Sequence, residues 1–518
     1  MPDADRYDIL VLGSGESGKY LAWTMAGSGH RTAVIEQELI GGSCPNVACL
    51  PSKNIIHSAK VKALASRASA FGLDAAAIST DMKAVQERKR RMVADLVKVH
   101  VARYEAAGVE LIMGKAGFVG PRTVAVYRGD ALARTVVGER VFVNVGTRAS
   151  LPDLPGLIEA APMTHVEALE LERVPEHLVV LGGGYVGLEL AQAMRRFGSA
   201  VTVIERGPQL AGREDPDVGA ALLELFRDEG IKVLLKTDVR QVDGRSGEGI
   251  RVRSAGADGD QIIDASDLLV AAGRTPNTQG IRADLAGVEL DPRGYIKVNE
   301  RLETTAPGVW AMGDCAGSPQ FTHVAFDDFR IVRDNLNGGS RTTRGRLIPF
   351  CMFTDPELAR VGLNESEARA RNIAYRTARL PMAAVLRTRT TSETRGFMKM
   401  LIDESSDRIL GFTVFGAEAS ELVATVQTAM LGELPYTALR DALFTHPTAA
   451  EGLTLLLAKV TGQDRQSENV EAEEREIDQT LADSFPASDA PSWTLGVTQA
   501  LPKKRKQRQA RRRQRDND

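Results

Sequence analysis

An α/β fold built from two Rossmann-like units, with a smaller α+β domain after them, is predicted by three observations in this 518-residue chain. A strand, a glycine-rich turn, a helix and a second strand follow one another over residues 8–36, and the same order returns over residues 178–205. From Gly13 to Glu36 and from Gly182 to Glu205 the separation is 23 residues in both, so one supersecondary unit occurs twice. From about Arg346 the texture changes to short strands in an antiparallel pattern, with helices between them. The length agrees, since 518 residues exceed one ordinary core and imply three or four domains.

Composition is that of a globular protein, and a formal charge of −3 exerts no net pull toward nucleic acid or membrane. The acidic start (Asp3, Asp5) runs straight into the strand-like Asp8–Leu12, so no signal peptide is expected. No apolar run is long enough to span a bilayer. Four cysteines argue against a secreted disulfide scaffold and for a reducing compartment, with the cytoplasm as the expectation.

The first unit reads Ile9–Leu12, then Gly13-Ser14-Gly15-Glu16-Ser17-Gly18, a helix to about Ser28, then Thr32–Glu36. Gly13, Gly15 and Gly18 let the backbone turn and approach a pyrophosphate at a helix N-terminus, and Glu36 can accept from a ribose. Directly after it stands Gly41-Gly42-Ser43-Cys44-Pro45-Asn46-Val47-Ala48-Cys49-Leu50-Pro51-Ser52-Lys53. In an unbroken helix Cys44 and Cys49 would be roughly 7.5 Å apart along the axis, too far for a relaxed disulfide. Cys44 is therefore expected to precede the helix and fold back over its first turn, an entry that suits Pro45. A thiol at a helix N-terminus is held further toward thiolate.

Residues 83–107 carry apolar positions at helical spacing (Met92, Leu96, Val99, Tyr104), with Arg88–Arg91 read as a solvated face. Val141–Thr147 closes the first unit. The second runs Leu178–Leu181, Gly182-Gly183-Gly184-Tyr185-Val186-Gly187, a helix through Arg196 and Ala200–Glu205, and is closed by Leu268–Arg274. Its candidate contacts for a second dinucleotide are Gly182, Gly184, Gly187 and Glu205.

From about Tyr7 to about Leu457 these motifs resemble the flavin-dependent pyridine nucleotide disulfide oxidoreductases, the family of lipoamide dehydrogenase, glutathione reductase and mercuric reductase. Pro45 stands where an aliphatic residue is common and Ala48 where glycine is common. Both lie between the cysteines and bear on redox potential rather than on the chemistry. The resemblance implies an FAD-binding domain over 1–155, an NAD(P)-binding domain over 156–280, a return to the FAD domain over 281–345 and a dimerisation domain over 346–462. FAD would be held by the first fingerprint with Gly42, Ser43, Lys53, Ala116, Gly146 and Thr322. Asp314, in the motif Thr304–Asp314, would bind its ribitol chain. Tyr185 would cover the nicotinamide pocket and Gly273 would line the second site, where Glu205 favours NADH by repelling a 2′-phosphate.

The same resemblance makes Cys49 the charge-transfer thiol against the flavin and Cys44 the interchange thiol that attacks substrate. Lys53 would lie near the flavin, paired with Glu189. In Thr445–Glu451, His446 would reach across a homodimer to the partner's cysteines, with Glu451 orienting the imidazole. Cys315 reads as a small buried residue. The implied enzyme is an NAD(P)H-dependent flavoprotein disulfide oxidoreductase acting on a small-molecule disulfide or other oxidant, with no resident metal. Lipoamide dehydrogenase proper and a mercuric reductase-like enzyme are the nearest rivals. The latter is suggested by Arg213–Pro216 and Phe350–Phe353, but no cysteine follows Leu457. Residues 463–518 hold eleven acids and eleven bases, the bases gathered at the end. They read as a solvated extension, or alternatively as a tether to RNA or another anionic surface.

Overall fold

The structure, a computed structural model, describes residues 4–74, 78–256 and 259–460. These described residues form two compact units, those of 4–348 together with 352–354, and 349–351 together with 355–460.

In the first unit β1 (Asp5–Leu12), α1 (Glu16–Gly27) and β2 (Thr32–Glu36) form the first fingerprint, followed by α2 (Ser43–Val47), α3 (Cys49–Ser66) and α4 (Met82–Ala106). Strands β3 (Glu110–Met113), β4 (Lys115–Gly120), β5 (Thr123–Arg128) and β6 (Ala131–Val143) complete a sheet of order β3-β2-β1-β6-β5-β4. Ile9 to Leu12 are fully buried, as a central parallel strand covered on both faces requires. β6 is longer than the expected Val141–Thr147 because it does two jobs. Its first part pairs antiparallel with β5, while Val141–Val143 lie parallel to Val309–Ala311. That second pairing returns the chain to the first sheet after the second fingerprint.

The second fingerprint folds as His177–Leu181, helix Tyr185–Phe197 and Ala200–Ile204. Its four-stranded sheet runs Lys232–Leu234, Ala200–Ile204, His177–Leu181, Asp267–Val270, all parallel. Helix α3, which carries Cys49 and Lys53, packs against helix Tyr185–Phe197.

Arg88, Arg90 and Arg91 of the basic run on α4 are exposed, as expected, but Lys89 is not. Lys89 is 1% exposed, donates to the Leu169 carbonyl at 2.9 Å and pairs with Glu170. Arg90 pairs with Glu170 and Glu172, and Gln86 donates to the Leu171 carbonyl. Helical periodicity marks which side of α4 is polar. It does not show that carbonyls and acids from residues 169–172 lie over that side.

In the second unit a five-stranded sheet has the order Pro349–Met352, Glu357–Gly362, Ile409–Gly416, Phe397–Asp403, Tyr375–Pro381, with helix Ala419–Leu431 on it. Arg346, where the change of texture was expected, still belongs to the first unit through Asp327 (3.1 Å) and Asp328 (2.5 Å). Among the described residues no helix is long and apolar enough to cross a membrane. The charged run 463–518 lies outside the described residues.

Candidate active site

The cysteine segment enters between two walls. Gly41 and Gly42 have φ of 93° and 80°, a region closed to most L-residues. A Cβ on Gly41 would fall 2.4 Å from His100 Nδ1, and one on Gly42 would fall 2.6 Å from the Gly15 Cα. Ser14 ties this segment to the glycine loop, since its hydroxyl donates to Glu36 Oε2 at 2.6 Å and accepts from the Gly41 N–H at 2.9 Å. Glu36 also accepts from the N–H groups of Ser14, Glu38 and Leu39.

The thiols follow the expected fold-back, with Cys44 ahead of α3 and beside Cys49 at its start, but Cys44 is itself helical. Cys44 lies inside the short helix α2, and the helical path breaks at Ala48 (φ −134°, ψ −104°) before α3 begins at Cys49. The change of direction between the cysteines thus occurs at Ala48, after Cys44 rather than around it. Both thiols are free. A hydrogen bond from Cys44 is the main cause that brings Cys49 down to about 6, aided against burial by Thr322 and the Lys53 charge. Cys49 Sγ lies 3.4 Å from Thr322 Oγ1. Cys44 moves the opposite way, raised by its hydrogen bond to Cys49, by burial and by the Cys49 charge. Charge is thus favoured on Cys49, at a helix start, and the proton on Cys44.

One turn along α3, Lys53 Nζ lies 2.7 Å from Glu189 Oε2. The Glu189 Oε1 accepts the Phe353 N–H at 2.8 Å, and Lys53 Nζ lies 4.8 Å from the Phe353 ring centroid. The sequence reading used Phe353 only as the end of Phe350–Phe353 and gave its side chain no task. No local pattern marks it, because its partners are 164 and 300 residues away in the chain.

The two fingerprints suit anionic cofactors. α1 and helix Tyr185–Phe197 begin at Gly15 and Gly184, whose lack of a capping side chain leaves the two helix N-termini open to a phosphate. A Cβ on Gly146, Gly184 or Gly273 would meet open space. Asn144 is a bracing residue the sequence reading passed over. Its Oδ1 accepts the Gly18 N–H at 3.0 Å and its Nδ2 donates to the Met312 carbonyl at 2.9 Å. The available signal was an asparagine ending an apolar strand where the second unit has Ala271.

Asp314 accepts from Thr147 Oγ1 at 2.6 Å, and Arg274 lies 3.9 Å from it. The Asp314 turn is fixed by fully buried Asp328, which accepts the Gly313 N–H at 2.6 Å. Ser43 is exposed, and Ala116 packs half-buried on the core of the first sheet. Glu205 accepts from the N–H groups of Gly183 (2.7 Å) and Gly207 (2.6 Å). The Tyr185 hydroxyl donates to Glu214 at 2.9 Å. Cys315 is fully buried, and burial pushes its thiol up to about 12.

In the second unit, His446 Nδ1 is 3.0 Å from both Glu451 carboxylate oxygens. The imidazole is 59% exposed, and nearby Leu443 has its whole side chain in solvent.

The family model described as pyridine nucleotide-disulphide oxidoreductase matches residues 7–328, and the dimerisation domain of the same family matches residues 348–457. The probable pyridine nucleotide-disulfide oxidoreductase RclA of Escherichia coli is 35% identical over 463 residues, covering 88% of this chain and 100% of the relative. A mercuric reductase of Acidithiobacillus ferrooxidans is 35% identical over 471 residues, 90% of this chain and 84% of that protein. A solved structure, the Cu(II) complex of the HOCl-induced flavoprotein disulfide reductase RclA from Escherichia coli, superposes with a TM-score of 0.80 at 33% identity, over 88% of this chain and 99% of that one.

Proposed function

The chain belongs to the pyridine nucleotide-disulphide oxidoreductases, and from that premise we propose that it passes electrons from NAD(P)H through FAD and the Cys44–Cys49 pair to a disulfide or other thiol-reactive acceptor. The observation that carries this reading is the cysteine pair at the start of α3, with Cys44 on α2 beside it, Cys49 Sγ 3.4 Å from Thr322 Oγ1 and the Lys53–Glu189 pair one turn along the helix.

Bound FAD supplies the two-electron relay between the nicotinamide hydride and the cysteine pair. The first fingerprint, Thr322, Asp314 and the Lys53–Glu189 pair would hold it, while the second fingerprint with Tyr185 and Glu205 would hold the nicotinamide cofactor. Glu205 favours NADH, because a 2′-phosphate would meet its charge.

The chain's own groups then carry thiol exchange. Cys44, once deprotonated, attacks one sulfur of the acceptor; the acceptor S–S bond breaks, and the departing thiolate takes up a proton. Cys49 thiolate next attacks the Cys44 sulfur, releasing the second thiolate and forming the Cys44–Cys49 disulfide. Because Cys44 holds its proton tightly, the first step needs a base. His446, oriented by Glu451, is that base, acting across a homodimer on the other subunit's Cys44. The exposure of His446 and Leu443 supports a partner there.

Likeness to mercuric reductases favours a metal ion as the second candidate acceptor. A soft ion must be handed between thiolates, and besides the active pair the sequence has Cys315, which is fully buried, and Cys351.

The test is steady-state NADH and NADPH oxidation with a panel of small disulfides, quinones, and mercuric and cupric ions under excess thiol. Disulfide turnover lost in both Cys44→Ser and Cys49→Ser, with flavin retained, is the expected result. Metal-dependent oxidation without disulfide turnover would reverse the choice of acceptor. Mixing His446→Ala with Cys44→Ser subunits should restore one site of two in a heterodimer.

A further inference from the structure

The residues around Cys49 come from four stretches of the first unit: Cys44 on α2, Lys53 one turn along α3, Glu189 on the second-fingerprint helix, and Thr322 at the start of helix Thr322–Leu336. Only Lys53 brings a positive charge to this set. Its side chain is 33% exposed, so a lysine this flexible would otherwise spend much of its time with its ammonium in water. Two contacts oppose that. Glu189, 7% exposed, takes the ammonium at 2.7 Å, and the Phe353 ring lies 4.8 Å from Nζ, within cation–π range. Phe353 acts on both partners, because its N–H also donates to the other Glu189 oxygen at 2.8 Å. That bond fixes the rotation of the carboxylate and leaves Oε2 for Lys53.

We propose that Phe353 is a positioning residue of the redox centre, whose ring and backbone N–H together hold the Lys53–Glu189 pair so that the Lys53 charge acts on Cys49. The segment that supplies it fits the role. Residues 352–354 join the first compact unit while the chain on either side of them does not, and Phe353 is the member of that excursion whose ring meets the lysine. The inference rests on the proposed use of Cys49 as the resident thiolate, but not on the identity of the electron acceptor.

The test reads the thiolate directly. Reduced protein is alkylated with iodoacetamide across pH 4.5–9, and the modified peptides are resolved so that Cys49 and Cys44 are scored separately. Wild type should give a Cys49 midpoint near 6. Phe353→Leu, which keeps the backbone N–H and comparable bulk, should raise that midpoint by about half to one pH unit, a roughly three- to tenfold loss of thiolate below the midpoint. Phe353→Tyr keeps an aromatic face and should restore the wild-type profile. Lys53→Met should raise the midpoint at least as far, and Phe353→Leu should add nothing in that background. An unchanged Cys49 profile in Phe353→Leu overturns the proposal. So does an equal further shift in the Lys53→Met background, which would make the ring's effect one of packing alone. Because no acceptor is present, a failure of disulfide turnover does not alter these readings.

Discussion

The two fingerprints differ in what stands behind their glycines. In the first, the closing strand ends in Asn144, which grips the loop through the Gly18 N–H and anchors it to the Met312 carbonyl. Ser14 and Glu36 then tie the loop to the cysteine segment. In the second, the corresponding residue is Ala271, with no side chain to reach the loop. A Cβ on Gly15 would fall 2.9 Å from Asn144 Oδ1, whereas one on Gly184 would meet nothing within 4 Å. One motif at one spacing has thus become a cross-braced cradle in one place and an open shelf in the other. Under the assignment proposed above, the braced site keeps a resident flavin and the open one admits a nicotinamide cofactor that must leave each cycle. The open unit reaches the cysteine-bearing helix through its own helix, which presents Glu189 to Lys53.

The comparison breaks most visibly at Asn144. Asn144→Ala orphans one buried donor and one buried acceptor, at about 1–3 kcal/mol each. Flavin retention should fall by roughly 30-fold or more, measured by absorbance of the dialysed protein. The KM for the nicotinamide cofactor should stay within about twofold of wild type when flavin is resupplied. Equal damage to both sites would mean that the brace supports the whole unit rather than one cradle.

Glu205 gives a smaller effect. Glu205→Gln keeps the shape and one acceptor but removes the charge that opposes a 2′-phosphate. The ratio of kcat/KM for NADH to that for NADPH should fall by about tenfold, the equivalent of ~1.4 kcal/mol. A wild-type preference for NADPH would show that Arg206 or Arg213 outweighs the carboxylate.

Gly184→Ala sharpens the contrast with the least perturbation. The added methyl has room in the protein alone but occupies the approach to the helix N-terminus. The nicotinamide KM should rise about fivefold, an effect of ~1 kcal/mol, with Tm nearly unchanged. Gly15→Ala, with Asn144 Oδ1 in its way, should lower Tm and flavin content together.

Both fingerprints, the cysteine segment and the His446–Glu451 couple were legible because each is local. The structure brings Cys44 to Cys49, Cys49 to Thr322, Lys53 to Glu189 and His446 to Glu451. The misreadings concern surroundings. A helical pattern made Arg88–Arg91 a wet face, whereas Lys89 is buried against a segment about eighty residues away. The spacing of the cysteines called for Cys44 to precede the helix, and it does, but from within a second short helix whose path breaks at Ala48.

The sequence by itself determined the family, the two glycine-turn fingerprints and the cysteine segment. Those rest on glycine spacing, apolar runs and short motifs, whose physics acts within a few residues. Tertiary structure alone decided which groups surround the thiols and lower or raise their pKa values. Cys44, Thr322 and Lys53, on three elements, all favour the charged form of Cys49, and Lys53 in turn meets Glu189 and the Phe353 ring. Hydrogen bonds and charges act over a few ångströms of space, whatever the distance along the chain.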